Sequence, residues 1–189
     1  NFSPRKITRM GICRSFQVPQ LFDNLTVLEN LEVANNIASS NMSLDSTKIP
    51  HEENFLHESV ESLVDKFFLK NYKNQVTGTL PEGIRKLLDI AMTMLIKPKV
   101  LLLDEPTSGV SAEEKFTIMD LVMDVVQQSN ITVLFVEHDM EIIQKYTSRT
   151  LAFFSGKIIA EGSTSDVLSN TDVKKYIIGG ISNHSPKGS

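Results

Sequence analysis

Two adjacent carboxylates, Asp104 and Glu105, follow a short aliphatic run at Val100 to Leu103. Such a run with a proline on either side is typical of a buried strand in a parallel sheet and is too short for a useful helix. Ligands of open α/β sheets bind at the carboxyl ends of the strands, so the pair is placed for chemistry. Asp104 could hold Mg²⁺ directly or through water, and Glu105 could orient or deprotonate a water that attacks a phosphoryl group. The alternative is that Asp-Glu-Pro merely ends a strand and begins a turn.

The chain has the composition of a globular domain. Its 189 residues are 41% hydrophobic and 22% charged, and a chain of this length can bury a sizeable core. The 19 basic and 23 acidic residues give a net charge of −4, which does not favour non-specific binding to nucleic acid. Cys13 is the only cysteine, so no intrachain disulfide can form and a reducing compartment is expected. Apolar runs such as Ile131 to Val136 are far shorter than the roughly 18 residues of a membrane helix, so another chain would supply any membrane part.

Three capping boxes predict the starts of helices on either side of the aliphatic strand. They pair Thr26 with Glu29, Thr79 with Glu82, and Ser111 with Glu114. The first helix is expected to run to about Ile37. The segment 38–54, rich in Ser, Asn and Asp, is expected to be a loop.

Apolar residues at helical spacing predict the buried faces of three helices, one over 53–69, one that Pro98 ends and one after Ser111. The three stripes are Val60, Leu63, Val64, Phe67 and Phe68; Ile84, Leu87, Leu88, Ala91 and Leu95; and Ile118, Leu121, Val122 and Val125. The helices ahead of the Asp104 strand therefore look like a helical lobe inserted into an α/β core. 

A group of four residues near the loop, His51, Glu52, Glu53 and His57, invites a metal interpretation. The two histidines are six residues apart and do not share a helix face. A solvated helix start is therefore the preferred interpretation.

Two more predicted strands end in polar residues. A short helix over 3–10 precedes a strand at Ile12 to Phe16, which leads to Gln17. A buried strand at Ile131 to Val136 leads to Glu137-His138-Asp139, and Asp139 can cap the helix that follows. The second of these strands is expected to deliver its polar residues to the same edge of the sheet as Asp104.

The last third of the chain is predicted to form smaller elements. Thr150 to Phe154 and Lys157 to Ala160 form a hairpin that turns at Ser155-Gly156. Short helices are expected around 166–168 and 172–178. Residues 179–189 lack an apolar pattern and are expected to be a disordered tail.

In chain order, a loop glutamine, a capped helix that opens with Leu-Pro-Glu-Gly, an aliphatic strand ending in Asp-Glu-Pro and a strand ending in histidine resemble the ATP-binding subunit of an ABC transporter. The stretches 14–17, 25–31 and 135–140 are most similar to the ATPases of branched-chain amino acid importers and their urea or amide relatives. The resemblance implies an α/β, P-loop NTPase-like (ABC ATPase) core with an inserted helical subdomain, truncated at the amino terminus. It divides the chain into the Q-loop region of the core (1–24), the helical subdomain (25–97), the RecA-like core (98–178) and the tail (179–189).

The resemblance also implies roles for single residues, with ATP and Mg²⁺ as the ligands. Asp104 matches the Walker B aspartate that acts on Mg²⁺, and Glu105 matches the catalytic carboxylate. Gln17 matches the Q-loop glutamine, which contacts the metal and couples nucleotide state to the membrane subunits. His138 matches the switch histidine that bonds the γ-phosphate, a role that suits an imidazole donor. Gly83 matches a signature glycine directed at the ATP of a second subunit.

Three features depart from the family pattern. No G-x-x-x-x-G-K-[ST] motif occurs, so we expect a fragment of a longer protein that binds ATP poorly alone. The signature, usually Leu-Ser-Gly-Gly-Gln, reads Leu80-Pro81-Glu82-Gly83-Ile84, in which Pro81 lacks both hydroxyl and N–H and Glu82 brings negative charge near phosphate. Ser111 stands at the D-loop position where aspartate is usual. Hydrolysis at the site that this signature completes is therefore in question.

The leading interpretation is the motor subunit of an ABC importer for branched-chain amino acids or related small amides or urea. It would pair with a second ABC ATPase subunit, bind two transmembrane permease subunits and serve a solute-binding protein indirectly, at the cytoplasmic face of the inner membrane and without nucleic acid. One alternative is a catalytically weak or regulatory subunit of a heterodimer. Another is a soluble non-transport ABC ATPase, although tandem domains, coiled arms and basic extensions are not seen.

Overall fold

The computed structural model of the protein describes residues 2–43 and 60–179. It falls into two compact units, the first ending at Glu137 and the second beginning at His138. Within the described ranges, no helix combines the length and apolarity that crossing a membrane requires.

A parallel sheet of three strands organises the first unit. The strands are β1 (Ile12–Ser15), β2 (Val100–Asp104) and β3 (Thr132–Val136), in the order β1-β2-β3. Both pairings are parallel, with Ser15 opposite Leu103 and Asp104 opposite Val136. The three carboxyl ends therefore lie at one edge, as the sequence predicted for the strands at 100–103 and 131–136; the strand predicted at 12–16 joins them there.

The two faces of this sheet differ in burial. Leu101 and Leu103 are buried on one face, whereas on the other Leu134 and Val136 of β3 are 53% and 61% exposed. The prediction that β3 is buried is therefore wrong: three of its five residues are exposed and the other two are half-buried. A short apolar run does not reveal from sequence whether one or both faces of a strand are covered.

The helices α1 (Pro4–Arg9) and α2 (Val27–Ser43) flank β1 in the chain. The capping box of α2 forms as predicted, because Thr26 N donates to Glu29 Oε2 at 2.7 Å and Glu29 N donates to Thr26 Oγ1 at 3.2 Å. The helix continues six residues beyond the predicted end at Ile37. Ser and Asn are only mildly unfavourable inside helices, and Ala38 is buried, so the composition of this stretch did not end the helix.

The buried side chain of Asn30 connects α2 to the segment before it, at Phe22, and to the segment before the next long helix, at Thr77. Its Oδ1 accepts from Phe22 N at 2.9 Å, and its Nδ2 donates to Thr26 O and to Thr77 Oγ1, each at 2.9 Å. The backbone adds Thr77 N to Leu25 O at 2.8 Å. The segment leaving β1 is thereby tied to the segment that leads into the next long helix.

A third helix and then two 3₁₀ turns follow α2. The helix α3 (Val60–Lys66) buries Val60, Leu63 and Val64, and 3₁₀ turns occupy Lys70–Tyr72 and Thr77–Thr79. The helix was predicted to continue to Leu69, but it ends at Lys66. Phe68 takes a left-handed backbone conformation (φ 53°) and is 74% exposed, so its prediction as a core residue is wrong, whereas Phe67 is buried. The predicted helix start and the residues of the rejected metal group, His51, Glu52, Glu53 and His57, lie outside the described residues.

The helix α4 (Glu82–Met94) begins differently from the prediction. Pro81 is its N-cap and provides no capping side chain, while Thr79 Oγ1 donates to Val76 O at 2.7 Å. The predicted capping box of Thr79 with Glu82 is therefore wrong, because Thr79 is the last residue of a 3₁₀ turn and Leu80 and Pro81 separate it from the helix. The apolar stripe of α4 is buried as predicted, apart from Ile84, which is half-buried.

The helix α5 (Ala112–Gln128) follows β2 and has Ser111 as its N-cap. Glu114 N donates to Ser111 Oγ at 3.3 Å, and Ser111 Oγ donates to Glu114 Oε2 at 2.9 Å. The predicted cap is therefore confirmed. In this conformation the Ser111 side chain caps the N-terminus of its own helix, α5.

The second unit consists of the elements after Glu137. The helix α6 (Met140–Tyr146) is capped by Asp139, as predicted, and β4 (Arg149–Phe154) pairs antiparallel with β5 (Lys157–Ser163). Ser155 (φ 48°) and Gly156 (φ 76°) form the predicted two-residue turn. A helix α7 (Thr164–Ser169), a helix α8 (Thr171–Val173) and a π-helix at Lys174–Ile178 complete the unit. Residues 180–189, most of the predicted tail, lie outside the described residues.

Candidate functional site

The predicted site residues Gln17 and Glu105 are in contact at the carboxyl edge of the sheet. Gln17 Nε2 donates to Glu105 Oε2 at 2.6 Å, although 88 residues separate them in the chain. The contact follows from the strand register. Ser15 lies opposite Leu103, and Gln17 and Glu105 each come two residues after these positions. A hydrogen bond from an amide to a carboxylate orients the carboxylate.

The backbone of Glu105 is held in a left-handed conformation, with φ at 47°. This conformation is unfavourable for a residue with a side chain by about 1 to 3 kcal/mol, and it persists where neighbouring contacts determine it. Glu105 N donates to Val136 O at 2.9 Å, and Lys86 Nζ donates to Glu105 O at 2.9 Å. The carboxylate therefore projects from a backbone that β3 and α4 both fix.

Asp104, the last residue of β2, forms an ion pair with Arg14 of the neighbouring strand. The side chain of Arg14 is 52% exposed and that of Asp104 is 29% exposed, so water screens the pair. The guanidinium donates from Nη2 to Oδ2 of the carboxylate. The carboxylate is thus accessible at the same edge as Glu105.

The donor atoms near this edge fit Mg²⁺. Asp104 offers carboxylate oxygens and Gln17 an amide oxygen, and Mg²⁺ prefers oxygen donors. Among residues 2–43 and 60–179, no group of three or more His, Cys, Asp or Glu could hold a metal by itself. Mg²⁺ commonly takes one or two protein carboxylates and completes its shell with phosphate and water.

Glu137 joins the end of β3 to the loop after Pro106. Its Oε1 accepts from Thr107 N at 3.0 Å and from Thr107 Oγ1 at 2.6 Å. Sequence reasoning gave Glu137 no role, because its partner lies 30 residues earlier in the chain. The loops after β2 and β3 are therefore fastened to one another beside Glu105.

His138 is the first residue of the second unit and follows Glu137 directly. It lies two residues past the end of β3. Its role toward a γ-phosphate stays a prediction.

The first turn of α4 carries Gly83, the residue predicted to face the ATP of a second subunit. A Cβ at Gly83 would lie 2.8 Å from Ile118 Cδ1, so the glycine permits a close approach of α4 to α5. Glu82 lies 3.7 Å from Arg85 Nε, and Arg85 also pairs with Asp23 at 2.9 Å. The charge that Glu82 brings to this turn is thus partly offset by a neighbouring guanidinium.

A cleft of about 750 Å³ lies beside the first turn of α4. Its lining is mainly apolar and includes three carboxylates but no basic side chain; it consists of Phe68, Tyr72, Pro81, Gly83, Ile84, Leu87, Glu113, Glu114, Thr117, Ile118, Leu121 and Asp124. Phosphate groups would meet only negative charge there. The cleft is therefore unsuited to binding a nucleotide by its phosphates.

The sequence did not reveal that two charged residues of α4, Lys86 and Asp89, are buried. Asp89 accepts from Ser15 Oγ and from Gln20 N, the latter at 3.1 Å, and Lys86 contacts Glu105 as described. Burial raises the pKa of Asp89, and burial lowers the pKa of Lys86. The available signal was their position beside the apolar stripe of α4, where a charged side chain needs a partner.

Comparison with known proteins gives consistent results. The chain matches the ABC transporter family over residues 2–108, which is more than half of its length. It is 31% identical to the high-affinity branched-chain amino acid transport ATP-binding protein BraF of Pseudomonas aeruginosa, and the match covers 92% of this chain and 70% of that protein. It is also 31% identical to the probable branched-chain amino acid transport ATP-binding protein LivG of Methanocaldococcus jannaschii, covering 95% of this chain and 72% of the relative.

A solved structure shares the same level of sequence identity with this chain as these relatives. It is the crystal structure of the ADP conformation of an ATP-binding cassette of an ABC transporter, with a TM-score of 0.74 and 31% identity. The match covers 95% of this chain and 72% of that one. The α/β fold class predicted from the sequence is thereby confirmed.

Proposed function

This chain belongs to the ABC transporter family, and on that premise we propose that it is the ATP-hydrolysing motor subunit of an importer. The solute proposed is a branched-chain amino acid or a related small amide or urea. Relatives described as branched-chain amino acid transport ATP-binding proteins support the class of solute. The whole protein would act at the cytoplasmic face of the membrane, with a second ATPase subunit and two permease subunits.

One observation carries the enzymatic part of the proposal, the 2.6 Å hydrogen bond from Gln17 to Glu105 beside Asp104. Hydrolysis of a phosphoanhydride needs a group that orients the attacking water and a cation that offsets the charge of the transferred phosphoryl group. Asp104 and Gln17 would hold Mg²⁺, which supplies that charge when bound. Glu105 would orient the water, and Gln17 would keep the carboxylate in the required direction.

His138 completes the proposed set of residues. It would donate a hydrogen bond to the γ-phosphate, where negative charge develops in the transition state. The proposal also requires a phosphate-binding loop to act with Glu105, and the 189 residues contain no such motif. The 189-residue chain alone is therefore expected to show no measurable ATP turnover.

The first test is ATP turnover by the protein expressed from its own gene and assembled with its natural partners. Glu105→Gln keeps the size of the side chain but cannot orient or accept a proton from water in the same way. We expect kcat to fall by about 10² to 10⁴, with ATP binding retained. Glu113→Gln on the exposed face of α5 is the matched control and should leave kcat unchanged. Full turnover by Glu105→Gln would contradict the proposal.

A second test concerns the transported solute. Cells that carry Glu105→Gln in this gene should lose uptake of labelled leucine, if the branched-chain assignment is right. Loss of labelled urea or acetamide uptake with normal leucine uptake would move the assignment to the amide relatives. Normal uptake of all three would contradict an importer for this class of solutes.

A catalytically weak subunit of a heterodimer is the second candidate, and the start of α4 favours it. Pro81 caps the helix without a capping side chain, and Glu82 places a carboxylate in the first turn. A phosphate at this helix end would meet a carboxylate and one fewer N–H. In the assembled heterodimer, Glu105→Gln and the equivalent change in the partner should then reduce turnover unequally. Equal losses would exclude the asymmetry.

A further inference from the structure

Lys86 and Asp89 are buried charged residues one turn apart on α4. Each contacts a different loop at the carboxyl edge of the sheet. Lys86 is 4% exposed and Asp89 is 7% exposed. Residues three apart lie on the same side of a helix. Charged residues are almost never buried to this extent without specific partners, so the contacts of the two side chains define what they do.

The carboxylate of Asp89 closes the loop that carries Gln17, which we define as residues 16–19. Ser15 Oγ donates to Asp89 Oδ2 just before this loop, and Gln20 N donates to Asp89 Oδ1 at 3.1 Å just after it. One carboxylate therefore fixes both ends of the loop. Gln17 is left in the middle, with its amide on Glu105.

The ammonium of Lys86 fixes the other half of the contact. It donates to the carbonyl oxygen of Glu105 at 2.9 Å, at a residue whose backbone is in the left-handed region. Burial lowers the pKa of Lys86, and the carboxylates of Glu82, Glu137, Glu105 and Asp89 oppose that effect. The surrounding negative charge thus favours the ammonium form, which is the stronger hydrogen-bond donor to a carbonyl oxygen.

We propose that Lys86 and Asp89 act together as positioning residues that hold Glu105 and Gln17 in register from a single helix. We call the two side chains the Lys86–Asp89 clamp. Because α4 begins with Glu82 and Gly83, a displacement of its first turn moves both halves of the clamp together. The clamp therefore links the position of the first turn of α4 to the orientation of the Glu105 carboxylate. This inference rests on the proposed function, in which Glu105 acts on water.

Stability alone does not explain two buried charges. Replacing buried ionic groups by apolar residues of similar size is often neutral or stabilising in proteins. An apolar pair on α4 would fill the same space, but it could not hold the carbonyl of Glu105 or the two ends of the Gln17 loop. The clamp makes a specific prediction, namely that its loss affects turnover more than folding.

The test compares variants in the protein expressed from its own gene and assembled with its partners. Lys86→Met keeps the aliphatic stem and removes the ammonium, and Lys86→Arg restores a donor. We expect Lys86→Met to lower kcat about 10-fold or more with KM for ATP within about twofold, since small misplacement of a catalytic group has a large effect on rate. Lys86→Arg should recover at least half of the lost kcat. Lys70→Met, at an exposed lysine, is the matched control.

A double-mutant comparison separates positioning from a structural role. If Lys86 acts through Glu105, Lys86→Met should change the residual kcat of Glu105→Gln less than about twofold, because the two changes remove one unit. Equal effects of Lys86→Met in both backgrounds would overturn the clamp. Wild-type kcat in Lys86→Met, with a large loss in Glu105→Gln, would overturn the clamp and leave the proposed function standing. Full turnover in Glu105→Gln would instead overturn the proposed function.

The clamp can also be tested from its other side, with a smaller change that folding should tolerate. Ser15→Ala removes one hydroxyl donor from Asp89 and leaves the contact from Gln20. We expect kcat to fall by about threefold or more, while the protein still folds with a melting temperature lower by only a few degrees. If Lys86→Met does not fold, this variant decides the matter, and an unchanged kcat would overturn the clamp.

Discussion

At the scale of single residues, Glu105 shows how contacts from distant parts of the chain determine one side chain. Its N–H is bound to β3, its carbonyl to Lys86 of α4 and its carboxylate to Gln17 after β1. The left-handed conformation that results is rare for residues other than glycine. The proposed catalytic group is thus pre-organised by three different elements, which lowers the reorganisation needed during reaction.

Asn30 gives a prediction at this scale. Replacing it with alanine removes its contacts to Phe22, Thr26 and Thr77 and leaves the backbone N–H of Phe22 without its side-chain acceptor. We expect Asn30→Ala to lower the free energy of unfolding by about 3 kcal/mol, the sum of several lost hydrogen bonds at about 1 kcal/mol each. Urea unfolding measures this loss.

The control is Asn35→Ala, one residue beyond the next turn of the same helix. Asn35 is half-buried, and the change is expected to stay within about 0.5 kcal/mol. If the two substitutions had equal effects, Asn30 would not be the fastening point of α2.

At the scale of elements, α4 carries two buried charges whose titration should be visible in stability. Burial raises the pKa of Asp89 above its ordinary value of 3.8 in the folded protein. Between 3.8 and that raised pKa, the folded state binds more protons than the unfolded state, so stability falls as pH rises. The contribution of neutral Asp89 is therefore present at low pH and is lost as pH rises through the folded-state pKa.

Asp89→Asn tests this sign, because asparagine keeps the shape and does not titrate. The free energy of unfolding, measured by urea at a series of pH values from 3.8 upward, should fall less steeply with pH in Asp89→Asn than in the parent. Parallel curves for the two proteins would show that the Asp89 carboxyl does not titrate differently in the folded and unfolded states.

Local patterns in the sequence predicted elements well where the physical cause is local. The capping boxes at Thr26 and Ser111 form, because each depends on residues only three apart. The same pattern at Thr79 fails, because Thr79 belongs to a 3₁₀ turn and Leu80-Pro81 lie between it and the helix. The pattern states which side chains can cap, but the path of the preceding backbone decides whether they do.

At the scale of the whole molecule, the sequence predicted which loops would meet but not what holds them together. The aliphatic run at 100–103 correctly indicated a parallel strand, and the rule for strand ends placed the ends of β2 and β3 at one edge, whereas Gln17 was assigned to the site by the family resemblance alone. The partners of Lys86, Asp89 and Glu137 lie 19 to 74 residues away, so no local pattern could reveal them. Burial of β3 was overestimated for a similar reason, since the cover of a strand is a property of the tertiary structure.

The most direct test of the account is a structure of the assembled transporter carrying Glu105→Gln, with ATP and Mg²⁺ bound. We predict that residue 105 and His138 both lie within hydrogen-bonding reach, about 3 Å or one water molecule, of the γ-phosphate or its attacking water. Asp104 and Gln17 should lie at the Mg²⁺ ion. A γ-phosphate distant from both Glu105 and His138, or a metal ion bound away from Asp104, would contradict the account.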